Sequence, residues 1–146
     1  MTDKVYEFLT APRWTRIRIK SIEAQLKEMI EAAKAPPAIR YDRDRVQASP
    51  DPDPLAGLMA RCDEMASEII RLKRQEVEQC DAIREKCRHL NSELEYAVVC
   101  MNYIGMMDVK DIADELNVSI SGIYKIRRIA QDRLDDIIDG QKSKRV

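Results

Sequence analysis

The sequence has little of what most enzymes and β-rich folds need. Its 146 residues include one histidine, four glycines and only 5% aromatic residues. This shortage of turn residues and β-formers argues against a β-sandwich or a barrel. The sequence contains no GxGxxG or GxxxxGK[ST] phosphate-binding motif and no GxSxG nucleophile motif. We therefore expect an all-α protein that is not an enzyme and carries no cofactor.

Long apolar runs are also missing. No segment approaches the roughly 18 consecutive apolar residues that a membrane-spanning helix requires. The first thirty residues carry charges throughout, so the sequence predicts no secretory signal. We expect a soluble cytoplasmic protein with no membrane partner.

The four cysteines do not form a metal-binding pattern. They are Cys62, Cys80, Cys87 and Cys100, and no two of them form a CxxC pair. On one helix, Cys80 and Cys87 would lie about 10 Å apart, too far for a disulfide bond. His89 falls on a different helical face from these two cysteines. The pattern favours reduced, buried thiols on an apolar stripe over a zinc site.

Residues 1–34 are predicted to form an N-terminal helix. Their apolar residues recur at alternating spacings of three and four, which places them on one stripe: Val5, Phe8, Ile19, Ile22, Leu26, Met29 and Ala33. Pro12 and Thr15 fill this stripe poorly. We therefore expect that the helix can restart at Pro12, with Thr10 as its cap.

Residues 35–54 contain five of the six prolines and are predicted to form a linker. Proline removes a backbone donor and disfavours helix at the preceding residue, so both neighbouring helices should stop here. Twenty residues is long for a connection inside a compact domain, which favours a mobile linker. In the alternative, Ile39, Tyr41 and Val46 hold the segment against a helix.

Residues 55–90 are predicted to form a long interaction helix. An apolar stripe runs through Leu55, Leu58, Cys62, Met65, Ile69 and Leu72, and continues through Val77, Cys80, Ile83, Cys87 and Leu90. Glu76 and Gln79 interrupt a strict heptad. Such a helix cannot bury its stripe alone, so it should pack on the first helix as a hairpin, on a second copy as a coiled coil, or on both.

Residues 91–140 carry the signals of a helix-turn-helix. Ser92 and Glu95 form a capping box that should open a helix over 93–104, burying Leu94, Ala97, Val98 and Met101 and ending at Gly105. Asp108, with Asp111 as a partner, should cap a second helix that runs to about Leu116.

The turn and the last helix follow directly. Asn117 tolerates the left-handed conformation that a sharp turn needs, and Ser119 should cap a third helix that continues to about Ile138. Apolar residues occur where two crossing helices must touch: Ile112, Ala113, Leu116, Val118, Ile123 and Ile126.

The opposite face of the last helix is polar and locally basic. The formal net charge of the chain is -1 and its pI is about 5.9, which excludes a globally basic nucleic-acid coat. Between residues 118 and 131, however, the only charged residues are Lys125, Arg127 and Arg128. Four aspartates follow and would repel phosphates lying near them: Asp132, Asp135, Asp136 and Asp139.

The segment NYIGMMDVKDIADELNVSISGIYKIRRIAQDRL resembles region four of bacterial sigma factors, whose helix-turn-helix reads a promoter element. The likeness covers about residues 90–138. The whole layout is similar to small phage and prophage regulators of the ArpU/RinA type, which control late phage genes. Asn117 stands where the turn commonly has glycine. The chain has no visible polymerase-binding region of a complete sigma factor, so the resemblance does not extend to autonomous sigma activity.

The resemblance implies a sequence-specific transcription regulator that binds double-stranded DNA through the helix beginning near Ser119. The residues expected to face DNA are Ser119, Ile120, Ser121, Tyr124, Lys125 and Arg128, with Arg127 at a phosphate. The long helices should form a homodimer. The alternative is a helical adaptor that binds RNA polymerase or another protein without reading DNA. The basic tail, residues 141–146, supplies Lys142, Lys144 and Arg145 as further phosphate contacts or as a solvated terminus.

Overall fold

The computed structural model describes residues 1–34 and 54–143, with side chains to residue 140. Within these ranges every regular element is helical, so the all-α fold is confirmed. The described ranges contain five α-helices: α1 (Asp3–Ala33), α2 (Pro54–Cys87), α3 (Glu93–Val99), α4 (Val109–Leu116) and α5 (Ile120–Ser143). The predicted linker lies outside the described residues except for Pro54, which begins α2. Proline is favoured at a first helical position because it lacks an N–H.

The helices form two compact units. One unit comprises residues 1–16 together with the chain from Arg74 onward, and the other comprises Ile17–Lys73. The predicted boundaries followed the ends of the helices, whereas the units divide α1 and α2 internally. The first sixteen residues thus belong with the C-terminal helices, because Val5 and Leu9 are buried in one cluster with Ile83 and Leu134.

Helix α1 follows the predicted stripe but does not break at Pro12. Val5 and Ile19 are buried, and Pro12 itself is fully buried inside a continuous helix. The Thr10 hydroxyl donates to the Tyr6 carbonyl at 2.7 Å, one turn back, and so it does not cap a new helix. The predicted restart at Pro12 is therefore wrong, since burial of the ring compensates for the missing helical hydrogen bond.

In the unit of residues 17–73, α1 and α2 pack through Ile19, Ile69 and Leu72, with Ile22 and Leu26 beside them. This contact joins two helices of the same chain, as in the hairpin alternative. Further along α2, Cys80, Ile83 and Cys87 are buried as predicted. Val77, on the same predicted stripe, is 60% exposed and is not covered by the described part of this chain.

Glu76 and Gln79 are half-buried and explain the interrupted heptad. The Thr15 hydroxyl donates to Gln79 Oε1 at 2.8 Å, and Arg16 Nε donates to Glu76 Oε1 at 2.8 Å. The polar positions of the two helices therefore meet each other. Each polar group finds a partner, which avoids the cost of burying it unpaired.

Helix α3 begins as predicted and ends differently. Ser92 Oγ accepts a hydrogen bond from the Glu95 N–H at 3.1 Å, whereas the Glu95 carboxylate accepts from Arg133 of α5 at 3.2 Å. One half of the predicted capping box is therefore present, and Glu95 ties α3 to α5. Leu94 is 40% exposed, contrary to its predicted burial, while Val98 and Val99 are fully buried.

A π-helical turn, Cys100–Ile104, extends α3 to Gly105. The left-handed residue that follows is Met106, with φ 56°, whereas Gly105 is right-handed with φ -73°. The helix ends at Gly105, as predicted, but Gly105 does not adopt the left-handed conformation usual for a glycine that ends a helix. Glycine is needed there for a different reason, since a Cβ would lie 2.9 Å from the Met101 carbonyl oxygen.

Candidate nucleic-acid interface

Helices α4 and α5 are joined by the short turn that the sequence predicted. Asn117 adopts the left-handed conformation, with φ 54° and ψ 43°, and its N–H donates to the Ala113 carbonyl. Ser119 Oγ accepts a hydrogen bond from the Gly122 N–H at 3.1 Å and so caps α5. Asp108 occupies the N-cap position of α4, as predicted. Its side chain makes no capping hydrogen bond, so the predicted capping interaction is absent.

An apolar cluster fixes α5 against its neighbours. Val98, Ile112, Ala113 and Ile123 are buried together. The partly buried residues around them are Met101, Met107, Val109, Leu116, Val118 and Ile126. All six residues that the sequence predicted at the helix crossing belong to this cluster. Since α5 is held on this face, its opposite face is available to a partner.

Six of the seven predicted contact residues are exposed: Ser119, Ile120, Ser121, Tyr124, Lys125 and Arg128. Ile120 and Tyr124 are large apolar side chains with 48% and 47% exposure. Lys125 and Arg128 have no ion-pair partner within residues 1–34 and 54–143. Their charges are therefore available to an anionic ligand.

Arg127, the seventh, is half-buried and bonded within the chain. Its Nη1 donates to Asn102 Oδ1 at 3.2 Å, and its guanidinium carbon lies 5.0 Å from the centre of the Tyr124 ring. Asn102 Nδ2 in turn donates to the Met107 carbonyl at 3.0 Å. This chain of contacts connects the end of the π-helical turn to the exposed Tyr124 ring. Asn102 was not among the predicted site residues. The sequence feature that could have identified it is its position as a single amide side chain within a run of apolar residues.

Acidic residues flank the exposed face on both sides. Asp111, Asp114 and Glu115 are exposed on α4, and further along α5 the exposed acids are Asp132, Asp136 and Asp139. Asp135 is instead bonded to the N-terminal region, where the Thr2 hydroxyl donates to its Oδ1 at 2.6 Å. Along α5, the exposed surface therefore changes from basic at Lys125 and Arg128 to acidic from Asp132 onward.

The thiols of Cys87 and Cys100 share a hydrogen bond. This bond, together with burial, raises the pKa of Cys87. The same bond, with contributions from Tyr96 and Arg84, lowers the pKa of Cys100 to about 7. Cys80 is buried separately, and burial raises its pKa. Residues 1–34 and 54–143 contain no cluster of three metal-ligating side chains.

None of the described helices combines the length and apolar character needed to cross a bilayer.

Comparison with known proteins gives one result. No curated protein and no solved structure matches the chain. Residues 55–135, more than half of the sequence, match a family described as "Protein of unknown function (DUF1492)". This stretch spans α2 from its second residue, all of α3 and α4, and most of α5. Because the match covers more than half of the sequence, the chain belongs to the DUF1492 family.

Proposed function

We propose that this protein is a sequence-specific DNA-binding regulator of phage or prophage late genes. The observation that carries the proposal is the exposed face of α5. Lys125 and Arg128 project from it without ion-pair partners among the described residues, and the other side of the helix is anchored in an apolar cluster. The phage context comes from the resemblance to regulators of the ArpU/RinA type and to sigma region four.

In this proposal the first turns of α5 enter the major groove. Ser121, Tyr124, Lys125 and Arg128 contact base edges, and Ile120 packs on apolar base surface such as a thymine methyl group. Ser119 fixes the start of the helix. Arg127 supports Tyr124 and reaches a phosphate at the edge of the groove.

The same proposal includes a homodimer formed through the long helices. Leu55, Met59 and Ile70 of α2 are exposed by 55%, 60% and 60%. Their spacing of four and eleven residues places them on one helical face, which suits contact with a second copy. Light scattering at micromolar concentration tests this: Ile70→Glu should give the monomer mass. A wild-type protein at monomer mass would exclude the dimer.

The second candidate is an adaptor that binds RNA polymerase or another protein. The observation favouring it is that Ile120 and Tyr124 are exposed beside the acidic surface of α4. Acidic residues repel DNA but suit a basic protein surface.

The first test is to incubate the purified protein with sheared DNA of its source genome, recover bound fragments in about 0.15 M salt, and sequence them. Enrichment of one intergenic site supports the regulator. Uniform recovery indicates binding to the DNA backbone only. The absence of recovered DNA favours the adaptor.

Variants of the exposed face make the test residue-specific. Arg128→Ala should cost about 1–3 kcal/mol at one base position if Arg128 reads a guanine. An equal loss on all sequences would identify a phosphate contact. Joint replacement of Lys125, Arg127 and Arg128 should abolish binding, and retention of function in that variant would favour the adaptor. Arg88→Gln provides the control, since Arg88 is exposed and paired with Glu85 at the end of α2.

A further inference from the structure

Beside the exposed face of α5 lies a cleft of about 630 Å³. Its walls come from the first turns of α1, the end of the π-helical turn, the start of α4, and α5. Ile120 and Tyr124 of the candidate interface form part of one wall. The cleft and the exposed face are therefore one continuous surface.

Three cationic side chains from three different helices line this cleft: Arg13 of α1, Lys110 of α4 and Arg127 of α5. Arg13 and Lys110 are exposed, and neither has an ion-pair partner in the part of the chain that the structure describes. One carboxylate, Asp108, also lines the cleft. Residues far apart in sequence thus form a local excess of positive charge.

Polar side chains also line the cleft. Gln131 donates a hydrogen bond to the Tyr103 hydroxyl. Burial raises the pKa of Tyr103, and the guanidiniums of Arg127 and Arg13 oppose this increase.

We propose that this cleft holds the sugar–phosphate backbone of the DNA strand beside the groove that α5 reads, with Arg13 and Lys110 as phosphate contacts. The inference rests on the proposed DNA-binding function and extends it to the first helix, outside the region that the family match covers. Cationic side chains with no partner among the described residues bind phosphates, while the half-exposed Tyr6 ring gives the sugars an apolar wall. Continuity with the exposed face favours a DNA strand over a small acidic ligand.

Salt dependence of binding tests the proposal directly. Each phosphate contact contributes about 0.9 to the slope of log K against log salt concentration on duplex DNA. Binding of wild-type protein to a fluorescent duplex is measured between about 50 and 200 mM salt. Arg13→Gln and Lys110→Gln should each weaken binding on all sequences and reduce the slope by about 1. Arg13→Lys should retain the slope because it retains the charge.

Two further variants control for net charge and for the cleft itself. Arg88→Gln makes the same charge change outside the cleft and should leave the slope unchanged. Asp108→Asn removes the one carboxylate of the cleft and should tighten binding without loss of slope. Thermal unfolding of each variant verifies that it folds.

The outcomes separate this inference from the function on which it rests. If wild-type protein binds no duplex, the DNA-binding function fails, and the cleft proposal fails with it. If wild-type protein binds DNA but Arg13→Gln has the same slope and affinity as Arg88→Gln, the cleft proposal alone is overturned.

Discussion

Arg127 donates a hydrogen bond to Asn102 Oδ1 at 3.2 Å, and this contact connects two segments that lie 25 residues apart. The sequence predicts a phosphate contact for Arg127. In the structure its guanidinium is half-buried between Asn102 and the Tyr124 ring. Arg127 therefore orders the exposed face of α5 besides lining the cleft next to it.

Asn102→Ala should destabilise the protein by about 1–2 kcal/mol, because the Met107 carbonyl and the Arg127 guanidinium each lose a partner. Urea unfolding measures this loss. The exposed amide Gln75 provides the control, and Gln75→Ala should change stability by less than about 0.5 kcal/mol. Equal effects of the two substitutions would show that the Asn102 contacts contribute nothing.

Gly105→Ala and Gly140→Ala should have opposite effects on stability. A Cβ at Gly105 would lie 2.9 Å from the Met101 carbonyl oxygen, whereas a Cβ at Gly140 meets no atom within 4 Å. We expect a loss of about 1–3 kcal/mol at Gly105 and a gain of about 0.5 kcal/mol at Gly140, where alanine is the better helix former. Thermal unfolding provides the comparison. A neutral Gly105→Ala would mean that the turn has room to relax.

Thr15 and Gln79 are joined by a hydrogen bond, so the effects of their substitutions on the free energy of unfolding should not be additive. Thr15→Val leaves Gln79 Oε1 without its donor and should cost about 1–3 kcal/mol. The double variant Thr15→Val/Gln79→Leu should recover most of this loss, because both polar groups are then absent. A double-mutant cycle in urea measures the coupling.

The exposed pair Arg71–Glu68 is the matched control for this cycle. Its charged atoms lie 3.5 Å apart in water, and its coupling energy should be about 0.2–0.5 kcal/mol. A Thr15–Gln79 coupling no larger than this would refute the expected role of the pair.

Cys100 should react with iodoacetamide at a rate that reaches half its maximum near pH 7. The hydrogen bond from Cys87 lowers the pKa of Cys100 to about 7 from the ordinary value of 9.0, and the thiolate is the reactive form. Tyr96→Phe removes a second donor and should raise this pKa. Mass spectrometry of alkylated peptides follows the reaction. A midpoint near pH 9 in the wild-type protein would contradict the expectation.

The same shift affects stability, with a defined sign. Folding lowers the pKa of Cys100, so the folded state favours the thiolate. This contribution is fully present above about pH 9 and is lost as the pH falls through about 7. Cys100→Ser should remove this part of the pH dependence.

Sequence reasoning succeeded where a feature depends on neighbouring residues. Ser92 and Ser119 accept hydrogen bonds from N–H groups three residues ahead, and Asn117 adopts the left-handed turn. These interactions span one helical turn, so the local sequence contains all the participants. The apolar spacing around Ile112 and Ile123 likewise predicted the cluster in which both are buried.

Predictions were wrong where distant residues decide the outcome. Pro12 was expected to interrupt α1, but its ring is buried and the helix is continuous. Leu94 has the spacing of a buried residue, yet 40% of its surface is exposed. Periodicity identifies an apolar face, but the position and extent of the neighbouring helices determine how much of that face is covered.

The local sequence specifies the helical class, the Ser92 and Ser119 caps and the turn between α4 and α5, because propensity and capping act over a few residues. Tertiary packing brings Glu95 to Arg133 and Arg127 to Asn102. It places residues 1–16 with the C-terminal helices. It also placed Arg13 and Lys110 on one cleft. These relationships join residues separated by 25 or more positions. The spacing of neighbouring residues does not indicate which distant residues come into contact.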